Sequence, residues 1–339
     1  MEEQSLLEPV YLAPAALVAF MTSYVATGKW INVARLIGLV GRDMNKGDDR
    51  LVAEAGGVWP LIGALFGLLT LESLYIYVEG LQYRFIDLMS LSLVLLMSAF
   101  LGFMDDILGW KKGLKIWQRV VFMAPIAVPL VAVKAGVSVV SLPLVGVVDF
   151  GILYPLILIP IGILGASNAF NMIGGYNGLE AGMASAIMAF TMAYSLLKGL
   201  DLAFQASVIM LLSLLAFLAY NWYPARVFPG NAFTYGFGAY YASLVILDDF
   251  QKFGLALFSL YFLELALFLR GLANGVYKEN FARVTPDGLR PPYDKSYSVT
   301  HIALKIQLLL RGKATERGVT LTLICMQSVI GALALIAYS

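Results

Sequence analysis

The most reactive group in this chain is an adjacent acid pair, Asp105-Asp106, which closes the apolar run Ser98–Met104 and precedes Lys111, Lys112, Lys115 and Arg119. Neighbouring carboxylates repel each other unless a cation or a proton relieves them, and a divalent metal site or a catalytic acid pair supplies that relief. Two acids at a water boundary, balanced by the nearby lysines, would satisfy the same residues.

Four further clusters carry groups that do chemistry. Gly41-Arg42-Asp43-Met44-Asn45-Lys46, followed by Glu54-Ala-Gly-Gly57, offers charges beside glycines that let backbone approach a ligand. Small residues at a helix start also serve plain helix packing. In Asn168–Glu180, amides and glycines interrupt two apolar runs, and Asn177 and Glu180 bear oxygens suited to a hard cation such as magnesium. A simple turn would favour Asn-Gly too. Tyr220–Asn231 is rich in aromatics, as an interfacial belt would be, yet Phe228 before Pro-Gly could stack on a nucleobase for about 1–3 kcal/mol. Lys278, Arg283, Arg290 and Lys295 could grip a pyrophosphate, or form a solvated basic loop. His301, the single histidine, is a weaker candidate base because it lies apart from the other clusters.

These clusters must be held by membrane helices. The chain has 339 residues, 60% hydrophobic and 13% charged, against roughly 25% charge in an average soluble domain. A formal net charge of +1 gives no field for nucleic acid. Apolar runs near the roughly 20 residues that cross a bilayer recur at 10–28, 57–79, 86–104, 117–135, 152–172, 178–197, 202–220, 232–247, 252–270 and 318–338. They lack the alternation of barrel strands, so an all-α polytopic protein with about ten transmembrane helices, one domain over 1–339, is predicted. With ten crossings all five clusters fall on one side, together with 19 of the 23 Lys and Arg residues. The positive-inside rule then puts that face in the cytoplasm and both termini outside. Residues 271–317 form the longest cytoplasmic connection, in which Ser298–Lys313 has the pattern of a helix lying in the interface or of a basic loop.

In their order and placement, Phe103-Met-Asp-Asp-Ile-Leu108, Asn177-Gly-Leu-Glu-Ala-Gly182 and Asn221-Trp-Tyr-Pro-Ala-Arg-Val-Phe228 closely resemble the polyprenyl-phosphate N-acetylhexosamine-1-phosphate transferases. The likeness is to the archaeal and eukaryotic branch, which uses UDP-GlcNAc and dolichyl phosphate, and it runs from Gly41 to the final helix. The resemblance implies ten helices in a cell membrane (the endoplasmic reticulum membrane in a eukaryote), a cytoplasmic active site and a magnesium cofactor, with manganese as the alternative. It implies transfer of GlcNAc-1-phosphate to a polyprenyl phosphate with release of UMP, the first step of lipid-linked oligosaccharide assembly for N-glycosylation. By motif matching, Asp105 and Asp106 correspond to the catalytic aspartates and Lys115 to a lysine that holds phosphate near the lipid. Asn177 and Asn231 fall at metal-ligand positions. Arg42, Asp43, Met44, Glu54, Asn171, Glu180, Phe228, Lys278 and Arg283 fall on the substrate side.

Three departures stand out: Asn231 where the family usually has Asp, Gly109 where it has Asp or Asn, and Lys278-Glu279-Asn280 in place of a His-centred basic motif. Another UDP-sugar or undecaprenyl phosphate with the same chemistry is the nearest alternative. An ion-coupled transporter is the alternative from another class, though transporters usually show related halves and no such repeat is visible. A homodimer is compatible with this reading.

Overall fold

The computed structural model describes residues 9–80, 82, 84–108, 113–114, 116–142 and 146–338. In chain order these form α1 (Pro9–Leu36), β1 (Val40–Arg42), β2 (Leu51–Ala53), α2 (Val58–Leu74), α3 (Phe85–Leu108), α4 (Ile116–Met123), α5 (Val128–Ala132), β3 (Val139–Leu142) and β4 (Gly146–Asp149). Then follow α6 (Ile159–Phe170), α7 (Leu179–Lys198), α8 (Asp201–Asn221), α9 (Gly230–Leu247), α10 (Gln251–Leu257), α11 (Ser259–Ala273), β5 (Arg283–Thr285), β6 (Gly288–Arg290), α12 (Val299–Arg311) and α13 (Glu316–Tyr338). The strands form three antiparallel hairpins among the described residues, β1–β2, β3–β4 and β5–β6.

All ten apolar runs contain helix, but they are not ten equivalent spans. Among the described residues six helices, those of α1, α2, α3, α7, α8 and α13, are long and apolar enough to cross a membrane by length and composition. A seventh is reached if α10 and α11, bent by 55°, are one broken span. The 117–135 run breaks into α4, a short tight turn and α5, with Pro125 and Pro129 at the breaks. Each proline removes a donor and resists helix continuation. The 152–172 run begins with a π-helical turn at Tyr154–Leu158 before α6.

Helix α9 is the centre of the bundle, packed against α3 and α6, while α1 lies on α2 and α8, and α7 on α8 and α13. Every residue from Ala232 to Leu247 is buried, so its Thr234, Tyr235 and Ser243 face protein rather than lipid. That enclosure explains why a helix with modest hydropathy can occupy the middle of a membrane protein. Small residues bring the backbones close. A Cβ at Gly102 of α3 would lie 2.6 Å from the Cα and the N of Ala232. The outer helices turn Leu17, Phe100, Leu197, Leu333 and Ile336 outward, as a lipid-facing surface requires. Cys325 is on that exposed surface too.

Candidate active site

The acid pair sits in the last turn of α3, where it meets the first turn of α9. Asp106 accepts the backbone N–H of Asn231 at 2.6 Å on Oδ1 and that of Ala232 at 3.0 Å on Oδ2. The first amides of a helix have no partner within it and carry the positive end of its dipole. Pro229 precedes α9 and gives no side-chain cap, so a carboxylate from another helix fills that role. Gly230 has φ +70° and its missing Cβ leaves room for the Asp106 carboxylate; any other residue would be both strained and obstructed there. Asp105 lies deeper. Its Oδ1 accepts Leu114 N–H at 2.5 Å, its Oδ2 accepts the Tyr235 hydroxyl at 3.0 Å, and Arg119 Nη2 is 3.6 Å away.

The 221–231 connection closes over the acids from one side. Val227 makes a parallel bridge to Ala53, Phe228 N–H donates to Ala53 O at 2.7 Å, and Gly56 N–H donates to Phe228 O at 2.9 Å. This docks Phe228 beside Glu54, the residue after β2. Burial pushes the Glu54 carboxyl above its ordinary range, and the charges of Asp105 and Glu54 both reach Asp106. Asn171, at the end of α6, accepts the Thr234 hydroxyl at 2.9 Å and so joins the first turn of α9.

The donor set around Asp106 is chemically fit for a hard divalent cation. Among the described residues no ammonium or guanidinium forms an ion pair with Asp106 or Glu54, and Asn231, whose backbone N–H Asp106 accepts, is a residue with an amide oxygen to offer. Also among the described residues, no three His, Cys, Asp or Glu side chains form a complete metal cage. Magnesium commonly binds through one or two carboxylates, with waters and substrate phosphates filling the remaining positions. Asn177 does not gather with these groups: its Oδ1 accepts Ala225 N–H at 2.8 Å and lies 3.5 Å from Lys46 Nζ.

Asn177 belongs instead to a neighbouring ring. Its Nδ2 donates to Asp43 Oδ2 at 3.3 Å and its N–H to Glu316 Oε1 at 2.8 Å, while Lys46 pairs with both Asp43 and Glu316. Arg42 and Met44, from the same hairpin, are exposed; Arg42 pairs with Asp49 at 2.9 Å. Glu180 folds back on its own loop, accepting Gly175 N–H at 3.2 Å, and its Oε2 has no hydrogen-bond partner among the described residues.

The basic cluster divides. Lys278 is not a free phosphate grip: it pairs with the fully buried Glu264 of α11 and donates to Met172 O at 3.1 Å and Asn280 Oδ1 at 2.5 Å. Burial pulls its ammonium below the usual lysine range, with Glu264 opposing the shift. Glu264 also caps α12, accepting the Ser298 hydroxyl at 3.0 Å and Val299 N–H at 2.8 Å. Arg283, in β5, is exposed. His301 is fully buried and neutral, with Nδ1 accepting Tyr297 N–H at 3.2 Å and Nε2 at 2.9 Å from Glu279 O; burial takes its pKa down to about 4. Lys115 and Gly109 lie outside the described residues.

Sequence reasoning passed over Tyr235, Glu264 and Glu316, which share no motif with their partners Asp105, Lys278 and Lys46. One signal was available: an acid in a span, such as Glu264, is costly unless paired.

The family model for glycosyl transferase family 4 matches residues 88–248. A protein of Saccharolobus solfataricus that bears the provisional name UDP-N-acetylglucosamine–dolichyl-phosphate N-acetylglucosaminephosphotransferase is 33% identical over 323 residues, covering 94% of each chain. A Sulfolobus acidocaldarius protein with the same provisional name is 32% identical over 297 residues, 86% of this chain and 87% of its own. The Schizosaccharomyces pombe enzyme of that name is 28% identical over 266 residues, 63% of this chain and 57% of its own.

Proposed function

Because the chain belongs to glycosyl transferase family 4, we propose that it transfers GlcNAc-1-phosphate from UDP-GlcNAc to a dolichyl-type polyprenyl phosphate and releases UMP. The observation that carries the reading is the meeting of Asp105-Asp106 with the start of α9 beside Glu54 and Phe228. There a helix N-terminus, an acid pair and an aromatic ring share one edge of the bundle.

In the reaction, an oxygen of the lipid phosphate attacks the sugar-bearing phosphorus of UDP-GlcNAc. A new pyrophosphate bond forms, the bond to the bridging oxygen of UMP breaks, and that oxygen leaves with its electron pair. Little covalent help is needed, so position and electrostatics dominate. Asp106 orients the acceptor phosphate and takes its proton on a carboxylate oxygen; each oxygen keeps a lone pair beyond the one used by α9. Asp105, fixed by Tyr235, Arg119 and the Leu114 amide, holds the end of α3 in register. Phe228 stacks on the uracil, with Arg42, Asp43 and Met44 along the nucleotide. Asp106 and Asn231 would hold magnesium, which would supply electrostatic stabilisation of the pyrophosphate.

Ten crossings are the finer proposal, in which the broken apolar helices and the enclosed α9 count as spans. The busy face then lies in the cytoplasm with both termini outside, and α12 rests in the interface. The test is UMP release by purified protein given UDP-GlcNAc, polyprenyl phosphate and magnesium, alongside UDP-GalNAc and undecaprenyl phosphate. Release that requires both the lipid phosphate and the metal is expected; UMP formation without acceptor, or none in well-folded protein, would refute the reading.

A further inference from the structure

Beside the acid pair, four chain segments converge on a buried charged ring, of which the transfer mechanism uses only Asp43. Lys46 comes from the loop between β1 and β2, Asn177 from the turn before α7, Tyr223 from the connection before α9, and Glu316 is the first residue of α13. The Lys46 ammonium pairs with Glu316 Oε2, lies 3.2 Å from Asp43 Oδ2 and 3.5 Å from Asn177 Oδ1, and sits 4.3 Å above the Tyr223 ring centroid. Side-chain exposure is 13% for Lys46 and 3% for each of the two acids.

An ammonium has three donors, and all three here face protein oxygens. Lys46 therefore has none left for a phosphate. Glu316 is equally committed: Oε2 takes Lys46, and Oε1 takes the Asn177 N–H at 2.8 Å. One turn along α13, the Thr320 hydroxyl donates to Asn177 O at 3.1 Å. The ring closes through Asn177 Nδ2 to Asp43 at 3.3 Å. Its members adjoin Met44, which is 37% exposed, and Arg42, the hairpin residues that face outward.

We propose that Lys46 and Glu316 form a positioning pair for the nucleotide, in which the last helix fixes the Asp43–Lys46 loop against the Asn177 turn and so sets the shape of the uridine-binding face. This rests on the functional reading above, in which Arg42–Met44 lie along the nucleotide. Neither residue touches substrate. Loss of Lys46 leaves Asp43 and Glu316 buried without a counter-ion, and loss of Glu316 leaves Lys46 with Asp43 alone and unties it from α13; in either case the loop shifts away from the face it forms with α7.

The test uses the full chain in detergent or nanodiscs, with UMP as the calorimetric probe and steady-state kinetics for UDP-GlcNAc and polyprenyl phosphate. Lys46→Met and Glu316→Gln are each expected to weaken UMP binding, and to raise KM for UDP-GlcNAc, roughly tenfold. KM for the lipid should move less than twofold. The double variant should be no weaker than the worse single one, because both remove the same contact. Glu316→Gln keeps an acceptor for the Asn177 amide, and Lys46→Arg keeps the charge and should retain most of the affinity, so a poorly folded Lys46→Met does not end the experiment. UMP affinity unchanged in variants with lowered melting temperature would refute the positioning role alone, as would multiplicative losses in the double variant. Wild-type protein that binds no UMP and turns over no UDP-GlcNAc would refute the functional reading and this pair with it.

Discussion

Asp106→Asn separates two tasks that one side chain performs. The carboxylate accepts two amides at the start of α9, at 2.6 and 3.0 Å, and is 8% exposed. An asparagine keeps one carbonyl oxygen for one amide but turns an NH2 group towards the other. Leaving a buried donor unsatisfied costs about 1–3 kcal/mol, and removing the negative charge from a helix N-terminus costs about 0.3–1 kcal/mol more. The expected loss is therefore about 1–4 kcal/mol. At roughly 2 °C per kcal/mol for a large chain, the melting midpoint in detergent should fall by roughly 2–8 °C. UMP release should fall at least about a hundredfold, the scale of a lost proton acceptor, when assayed well below the lowered midpoint. The two readouts fail independently. A midpoint equal to wild type would refute the capping of α9 by Asp106, and retained turnover in a destabilised variant would refute its part in catalysis.

Other perturbations probe the parts that support this one. The buried His301 has a pKa of about 4 against 6.5 when free, so between those values the unfolded chain binds a proton that the folded one refuses. Its contribution to stability is fully present above pH 6.5 and is lost as pH falls towards 4, by up to about 3 kcal/mol; denaturation midpoints across that window should slope less in His301→Gln, and equal slopes would refute the assignment. Asn231→Asp adds a carboxylate beside Asp106 and should lower the magnesium concentration for half-maximal UMP release roughly tenfold, with direct Mn2+ binding by electron paramagnetic resonance as the second readout. Gly102→Ala would press a methyl group against Ala232 of α9, costing about 1–3 kcal/mol and lowering UMP release. Gly165→Ala, where the added Cβ meets nothing within 4 Å, should be neutral or stabilising by about 1 kcal/mol in thermal melts.

What could be read from the sequence was what depends on neighbours along the chain. Apolar runs near bilayer length become helices whatever surrounds them, and Asp105-Asp106 is visible as a motif because its two acids are adjacent. The number of full spans was less legible: prolines break the 117–135 run, and α9 is shielded by α3 and α6 rather than by its own hydropathy. Lys278 was misread for a related reason. A lysine in a basic loop looks the same on paper whether it meets water or, as here, a buried acid 14 residues before it. Lys46 and Glu316 are 270 residues apart, and no local pattern joins them. Yet the start of α9 did carry a usable signal. Pro229-Gly230 begins a helix with no Ser, Thr, Asp or Asn to accept its first amides, and an enclosed helix end cannot leave such donors to water. An acceptor from elsewhere was required, and the acid pair that ends α3 is the group that a buried, positively polarised helix terminus selects.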